Sequence, residues 1–217
     1  DYVFVDAASQ DGTDTIIRDA VGHLSSRGTR ITVLQQCLTA GSAGIPAAWN
    51  QGLAHVDADI VFILNADDWY EPDAAHTVLQ AFTSRPDVDI VVSPIRYRQT
   101  EDGPVERLQR TRPLWLLPLL MPIPHPGCFV RRGVYRRLGT FDERYSVSAD
   151  YDFVYRAARA RCLFHVLDTP IVNMQPGGFA RRRLACARRE TRDVALRHTR
   201  VRALPYVAYV LRSLTRR

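Results

Sequence analysis

Lysine is absent from this chain: all 29 basic residues are arginine, which reads as a coding preference rather than a functional signal. Long apolar runs are missing too. None reaches the roughly 18–20 residues that span a bilayer, and no secretory leader is recognisable, so the sequence predicts neither export nor a membrane span. Cysteine is scarce. Cys37, Cys128, Cys162 and Cys186 lie far apart with no CxxC pair, which argues against a zinc knuckle or a disulfide framework and predicts a reducing cytosol. The chain also has no GxGxxG fingerprint, no Walker loop, no internal repeat and no low-complexity linker. Dinucleotide and P-loop readings therefore lose their signature.

What is present describes a folded domain. The 217 residues are 46% hydrophobic and 24% charged, enough for one α/β domain with an appendage and too apolar for disorder. Charge is distributed unevenly. Residues 1–100 hold 6 Arg against 13 acids, residues 101–217 hold 23 against 10, and residues 181–217 hold 12 against 2. The pattern predicts an acidic, metal-compatible half joined to a basic tail that meets an anion. Nucleic acid, acidic lipid headgroups and a phosphorylated substrate would each satisfy that charge.

The first half alternates strand and helix signals. Runs at 2–5, 31–34, 60–64 and 89–94 read as strands. Residues 13–25, 45–56 and 72–84 carry helical spacing, and a loop with Gly41 and Gly44 precedes the second of these helices. This order predicts βαβ units in an open, mostly parallel sheet flanked by helices, with 60–64 buried on both faces. The proline-broken stretch 113–124 suits a covering loop, a membrane-touching segment or core. Residues 128–130 suggest a strand and 150–161 a helix. Residues 181–217 read as two basic amphipathic helices divided near Pro205, so the chain divides into a domain over 1–180 and a basic helical tail over 181–217.

In open α/β sheets ligands bind beyond the carboxyl ends of the strands, and two strand ends here finish in acids. One ends at Asp6. The other runs into Asn65, Asp67 and Asp68, where two adjacent carboxylates on a tight turn suit Mg²⁺ or Mn²⁺; the alternative is a cap for the following helix. Asp6 is either a ribose or base acceptor or a solvated strand end. Ser9, Asp11, Gly12 and Thr13 make a turn and helix cap.

Four segments then occur in order: FVDAASQDGT, GIPAAWNQG, LNADDWYEP and HPGCFVRR…GTFDERYSVSADYDF. Together they resemble the family 2 glycosyltransferases of the GT-A fold, over residues 1 to about 180, especially bacterial enzymes of polysaccharide and glycolipid assembly. The resemblance implies metal-dependent, inverting transfer of a sugar from a nucleotide donor, usually a UDP-sugar, to a saccharide or lipid-linked acceptor. It gives Asp6 and Asn65 to the nucleotide, Asp67 to nucleotide diphosphate and metal, Asp68 to the metal, and Asp150 to the catalytic base. His125 and Asn50 fall on the acceptor or diphosphate side, and Gly177 and Gly178 on a Gly-Gly turn. Relatives begin with one more strand and helix, so this chain enters at their second strand, as a fragment would. Ser42 and Ala47 stand where relatives commonly carry acids, and Ala149 where a Glu often precedes the base.

Three other classes compete, one of them a sugar nucleotidyltransferase, which usually carries a Gly-rich signature near its first strand. A silent glycosyltransferase-like module would bind nucleotide without turnover, and an Arg-rich protein would bind nucleic acid. The last lacks a helix-turn-helix, RRM or zinc pattern, so nucleic acid is not an expected partner. The expected location is cytoplasmic; the last helix either lies on the anionic inner face of the plasma membrane or packs on the domain with Tyr206, Val207, Val210 and Leu211 in its seam.

Overall fold

The computed structural model describes residues 1–26, 28–37 and 44–214. Gly41, Ser42 and the end of the tail lie outside the described residues. The chain runs β1 (Tyr2–Asp6), α1 (Thr13–Ser25), β2 (Ile31–Gln35), α2 (Ile45–Ala54), β3 (Ile60–Phe62), β4 (Asp68–Tyr70), α3 (Ala74–Ser84) and β5 (Ile90–Val92). It continues through β6 (Ile95–Tyr97), β7 (Arg107–Gln109), β8 (Cys128–Arg131), α4 (Arg132–Leu138), α5 (Ala149–Arg159), β9 (Phe164–Val166) and β10 (Val172–Met174). Helices α6 (Phe179–Arg182), α7 (Leu184–His198) and α8 (Ala203–Leu214) close it.

The strands form three sheets: β1-β2, β3-β8-β5-β9 and β4-β10-β6-β7. The architecture is the expected α/β one, with α1 on β2, α2 on β1, α3 on β5 and α4 on β8. The pairing is mixed instead of mostly parallel. The crossover β3–α3–β5 leaves its two strands parallel but not adjacent, and β8 enters between them antiparallel to both. Sequence periodicity along one strand carries no record of such an insertion.

The insertion also decides which strands are buried on both faces. Ile90 and Val92 of β5, with Cys128 and Val130 of β8, join one core cluster, while Val91 and Phe129 turn into a second on the opposite face. These strands are the doubly covered centre. Strand β3 is not, contrary to expectation: among the described residues it pairs only with β8, and Phe62 and Leu64 are substantially exposed.

The basic tail is helical, but α7 is built into the core. Val194 and Ala195 are fully buried in the cluster that also holds α4 and α5. Pro205 does not divide two helices. It lies in the first turn of α8, where a missing backbone N–H costs nothing, and residues 199–202 make the division. In the stretch 113–124, Leu117 and Ile123 are core while Trp115 is exposed.

Candidate active site

The acidic turn between β3 and β4 is tight. The Asp68 amide donates to the Asn65 carbonyl at 3.1 Å, and Asn65 Nδ2 donates to Asp68 Oδ2 at 3.2 Å. Asp68 opens a strand and α3 begins only at Ala74, so neither acid is a helix cap. Asp68 is only 7% exposed, and its Oδ1 has no hydrogen-bond partner. Burial, and then the neighbouring Asp67 carboxylate, push its pKa up to about 7.

Asp67 is exposed and lines, with Asp68, Trp69, Gln99, Thr100, Glu101 and Gln175, an open cleft of about 590 Å³. The Gly-Gly turn closes on the same acid: a Cβ on Gly178 would stand 3.7 Å from Asp67 Oδ2. Gly177 has φ +95°, a conformation that favours glycine. Nothing in the sequence separation of 67 and 178 foretold this approach. It arises because β10 pairs with β4 and brings Met174 opposite Asp68.

An orphaned, buried carboxylate oxygen beside a second carboxylate fits a divalent cation, which would satisfy the lone pairs and offset both the burial and the Asp67 repulsion that raise the Asp68 pKa. Among the described residues no group of three or more acids, histidines or cysteines converges. Asp67 and Asp68 would hold the ion, and substrate phosphates and water would complete its coordination.

Asp150 occupies the first turn of α5. Burial is the main force pushing its pKa up to about 6; the charge of Glu190 adds to it, and the amides of Tyr151 and Asp150 itself oppose it. A helix N-terminus normally favours the ionised form, so this carboxylate is held at a higher proton affinity than its position alone would give. Its i+2 neighbour Asp152 has a different task. It is fully buried and accepts from Arg156 Nε at 2.7 Å, and its Oδ1 lies 2.8 Å from His198 Nε2. That joins α5 to α7.

The remaining predicted residues are engaged within the protein. Asp6 ends β1 and accepts from the Ser9 amide at 2.9 Å and the Ser9 hydroxyl at 2.6 Å, bonds that lower its pKa. Asp11 accepts from the Thr13 amide and hydroxyl in a turn just before α1; the turn is the expected one, but α1 starts from Gly12 with no side-chain cap. His125, assigned by resemblance to the acceptor or diphosphate side, is 7% exposed and stacks on Trp49 at 4.8 Å. Burial drives its pKa down to about 4, so the ring is neutral.

Asn50 clamps Phe141: its Nδ2 donates to the Phe141 carbonyl and to Glu143 Oε1, and its Oδ1 accepts the Phe141 amide at 2.9 Å. Asn50→Ala, which strands that backbone, is expected to lower stability by about 1–3 kcal/mol. A urea titration checks this as a lower midpoint at unchanged slope. Gly127 of the HPG motif is required by packing, since a Cβ there would collide with the Ser93 carbonyl oxygen.

The fold and the sequence profile define the class. The chain superposes on GT-A glycosyltransferases, and the sequence profile described as glycosyl transferase family 2 matches residues 1–142. The chain belongs to that family. Asp150 lies just beyond the matched residues. No curated protein matches the sequence.

Similar solved structures include S. aureus TarS 1–349, with TM-score 0.65 and 17% identity, covering 99% of this chain and 63% of that one. A second is the mannosyltransferase PcManGT from Pyrobaculum calidifontis in complex with GDP-Man and Mn²⁺, with TM-score 0.64 and 20% identity, covering 96% of this chain and 59% of that one. A third is glucosyl-3-phosphoglycerate synthase from Mycobacterium tuberculosis in complex with Mn²⁺, UDP and glucosyl-3-phosphoglycerate, with TM-score 0.58 and 16% identity, covering 90% of this chain and 67% of that one. This chain therefore spans less than two thirds of the TarS and PcManGT chains. At these identities the likeness is one of fold.

Proposed function

We propose that the chain transfers a sugar from a nucleotide donor, a UDP-sugar by preference, to an acceptor hydroxyl with inversion, in the assembly of cell-surface polysaccharide or glycolipid. The observation that carries this reading is the orphaned Asp68 oxygen beside the cleft-lining Asp67, in a chain of family 2. TarS has been crystallised with UDP and with UDP-GlcNAc, which supports a uridine donor.

Asp67 and Asp68 would hold Mn²⁺ or Mg²⁺, and Asn65 keeps the Asp68 carboxylate turned. When bound, such an ion neutralises charge on the departing diphosphate. Asp6, prepared as an anion by Ser9, accepts from the ribose or base. Asp150 takes the acceptor proton as the hydroxyl oxygen bonds to the anomeric carbon, on the face opposite the breaking bond to diphosphate. A carboxylate with a pKa of about 6 is ionised at neutral pH, yet is a stronger base than an ordinary one. Calorimetric titration of UDP with and without Mn²⁺ tests the donor site: Mn²⁺-dependent heat is expected, and no heat under either condition would sink the reading. Donor binding without any turnover would favour the silent module.

No helix among the described residues is long and apolar enough to cross a membrane. Helix α8 instead offers an interfacial face. Tyr206, Val207, Val210, Leu211 and Leu214 are all exposed on a helix of the Arg-rich tail. That face lies on an anionic bilayer, on the cytoplasmic side, where a lipid-linked acceptor would be met. Vesicles containing phosphatidylglycerol should bind the protein, and Leu211→Glu should weaken binding by about tenfold or more. Equal sedimentation with uncharged vesicles, or no effect of the substitution, would refute the attachment.

A further inference from the structure

Glu190, on the side of α7 that faces α5, accepts five hydrogen bonds with its two carboxylate oxygens. Its Oε2 accepts the amides of Val147 and Ser148, each at 2.8 Å. Its Oε1 accepts the Ser146 amide and hydroxyl, each at 2.9 Å, and the Cys186 thiol at 3.3 Å. Three consecutive backbone N–H groups thus converge on one carboxylate, the arrangement of an anion nest. Ser148 is the residue from which α5 starts, and its hydroxyl lies 3.4 Å from Thr191 Oγ1, a further tie to α7. Two residues later comes Asp150.

We propose that Glu190 is a positioning residue for the catalytic base: its carboxylate fixes the 146–148 turn and thereby sets where α5 begins and where Asp150 stands. The inference rests on Asp150 being that base. The geometry makes it specific. Without the carboxylate, three adjacent amides lose their acceptor together, and the turn has to find a different path. The bonds also hold Glu190 ionised: burial raises its pKa, but the Val147, Ser148 and Ser146 donors outweigh it. That fixed negative charge in turn raises the proton affinity of Asp150. Among the described residues, Cys128 of β8 is the other titratable group coupled to Asp150, and burial keeps its thiol neutral. One side chain therefore sets both the place and the basicity of the base.

The test compares parent, Glu190→Gln, Glu190→Ala and Asp150→Asn. The readouts are UDP release from UDP-sugars in Mn²⁺ across pH, and hydrogen exchange of the 146–148 amides. Glu190→Gln keeps an acceptor but loses the charge. It is expected to lower kcat about tenfold with the donor KM unchanged, and to move the acid limb of the kcat profile to lower pH. Glu190→Ala should in addition lose amide protection at 146–148. A Glu190→Gln enzyme with the parental kcat and acid limb would overturn the positioning role even if Asp150 is the base. Parental turnover in Asp150→Asn would overturn the base reading itself, and this inference with it, whatever the exchange at 146–148 shows.

Discussion

Asp150→Asn is expected to cut turnover of a nucleotide-sugar donor by at least about 100-fold, the usual contribution of a positioned general base. UDP affinity should stay near that of the parent. The amide is nearly isosteric and can still accept the Tyr151 amide, which Asp150 Oδ1 now accepts at 2.7 Å; it cannot take a proton. The pH profile gives a second, independent sign. A base must be ionised, and burial holds the Asp150 pKa at about 6, so parental kcat should fall as pH drops through that value.

Stability should move the opposite way from activity. A carboxyl whose pKa is raised on folding favours its protonated form in the native state. Its contribution is therefore greatest at low pH and is lost as pH rises from the ordinary value of 3.8 through about 6. Asp150→Asn removes that loss and should stabilise the protein by up to about 3 kcal/mol at about pH 8. Thermal melts at two pH values check it. A variant that is inactive and less stable would point to a structural role for Asp150 instead.

The second large effect is expected at the acidic turn. Asp67→Ala should abolish Mn²⁺-dependent UDP binding, a loss of about 100-fold or more, while leaving the fold intact because Asp67 is exposed. Asp68→Asn is the informative companion. It keeps the partner for Asn65 Nδ2 and removes the charge that buries unpaired. The metal-free variant should melt above the parent, and the parent alone should gain thermal stability from added Mn²⁺. UDP titrations and melts of the three proteins decide the matter: undiminished Mn²⁺-dependent binding by Asp67→Ala would remove the acid from the donor site.

The candidate site was legible where its chemistry is local. Asn65, Asp67 and Asp68 share one turn after an apolar strand, and Asp150 opens a helix that periodicity identifies. Asp11 and Thr13 carry a turn pattern, and the structure uses it as a turn, though α1 starts from Gly12 with no side-chain cap. The second half was less legible because its contacts join residues far apart in the chain. Glu190 has no motif and sits in an Arg-rich stretch that reads as a basic amphipathic tail; only the packing of α7 on α5 brings it to the 146–148 amides. His125 and Asn50 carried a family pattern, but their side chains are taken up by Trp49 and Phe141. A lone polar residue announces its type, and its partners depend on folding.

The chain's own order of residues therefore determined the α/β class, the position of most helices, the acidic turn and the uneven charge, because each depends on neighbours within a few residues or on composition. Tertiary structure decided the rest. It put β8 antiparallel between β3 and β5, made the 90–92 and 128–130 strands the doubly buried pair, brought Gly178 to Asp67 and built α7 into the core. The physical reason is that a strand's alternation says which of its faces are apolar but not which strand will cover its edge. Edge partners are chosen by how the whole set of apolar faces can be buried at once.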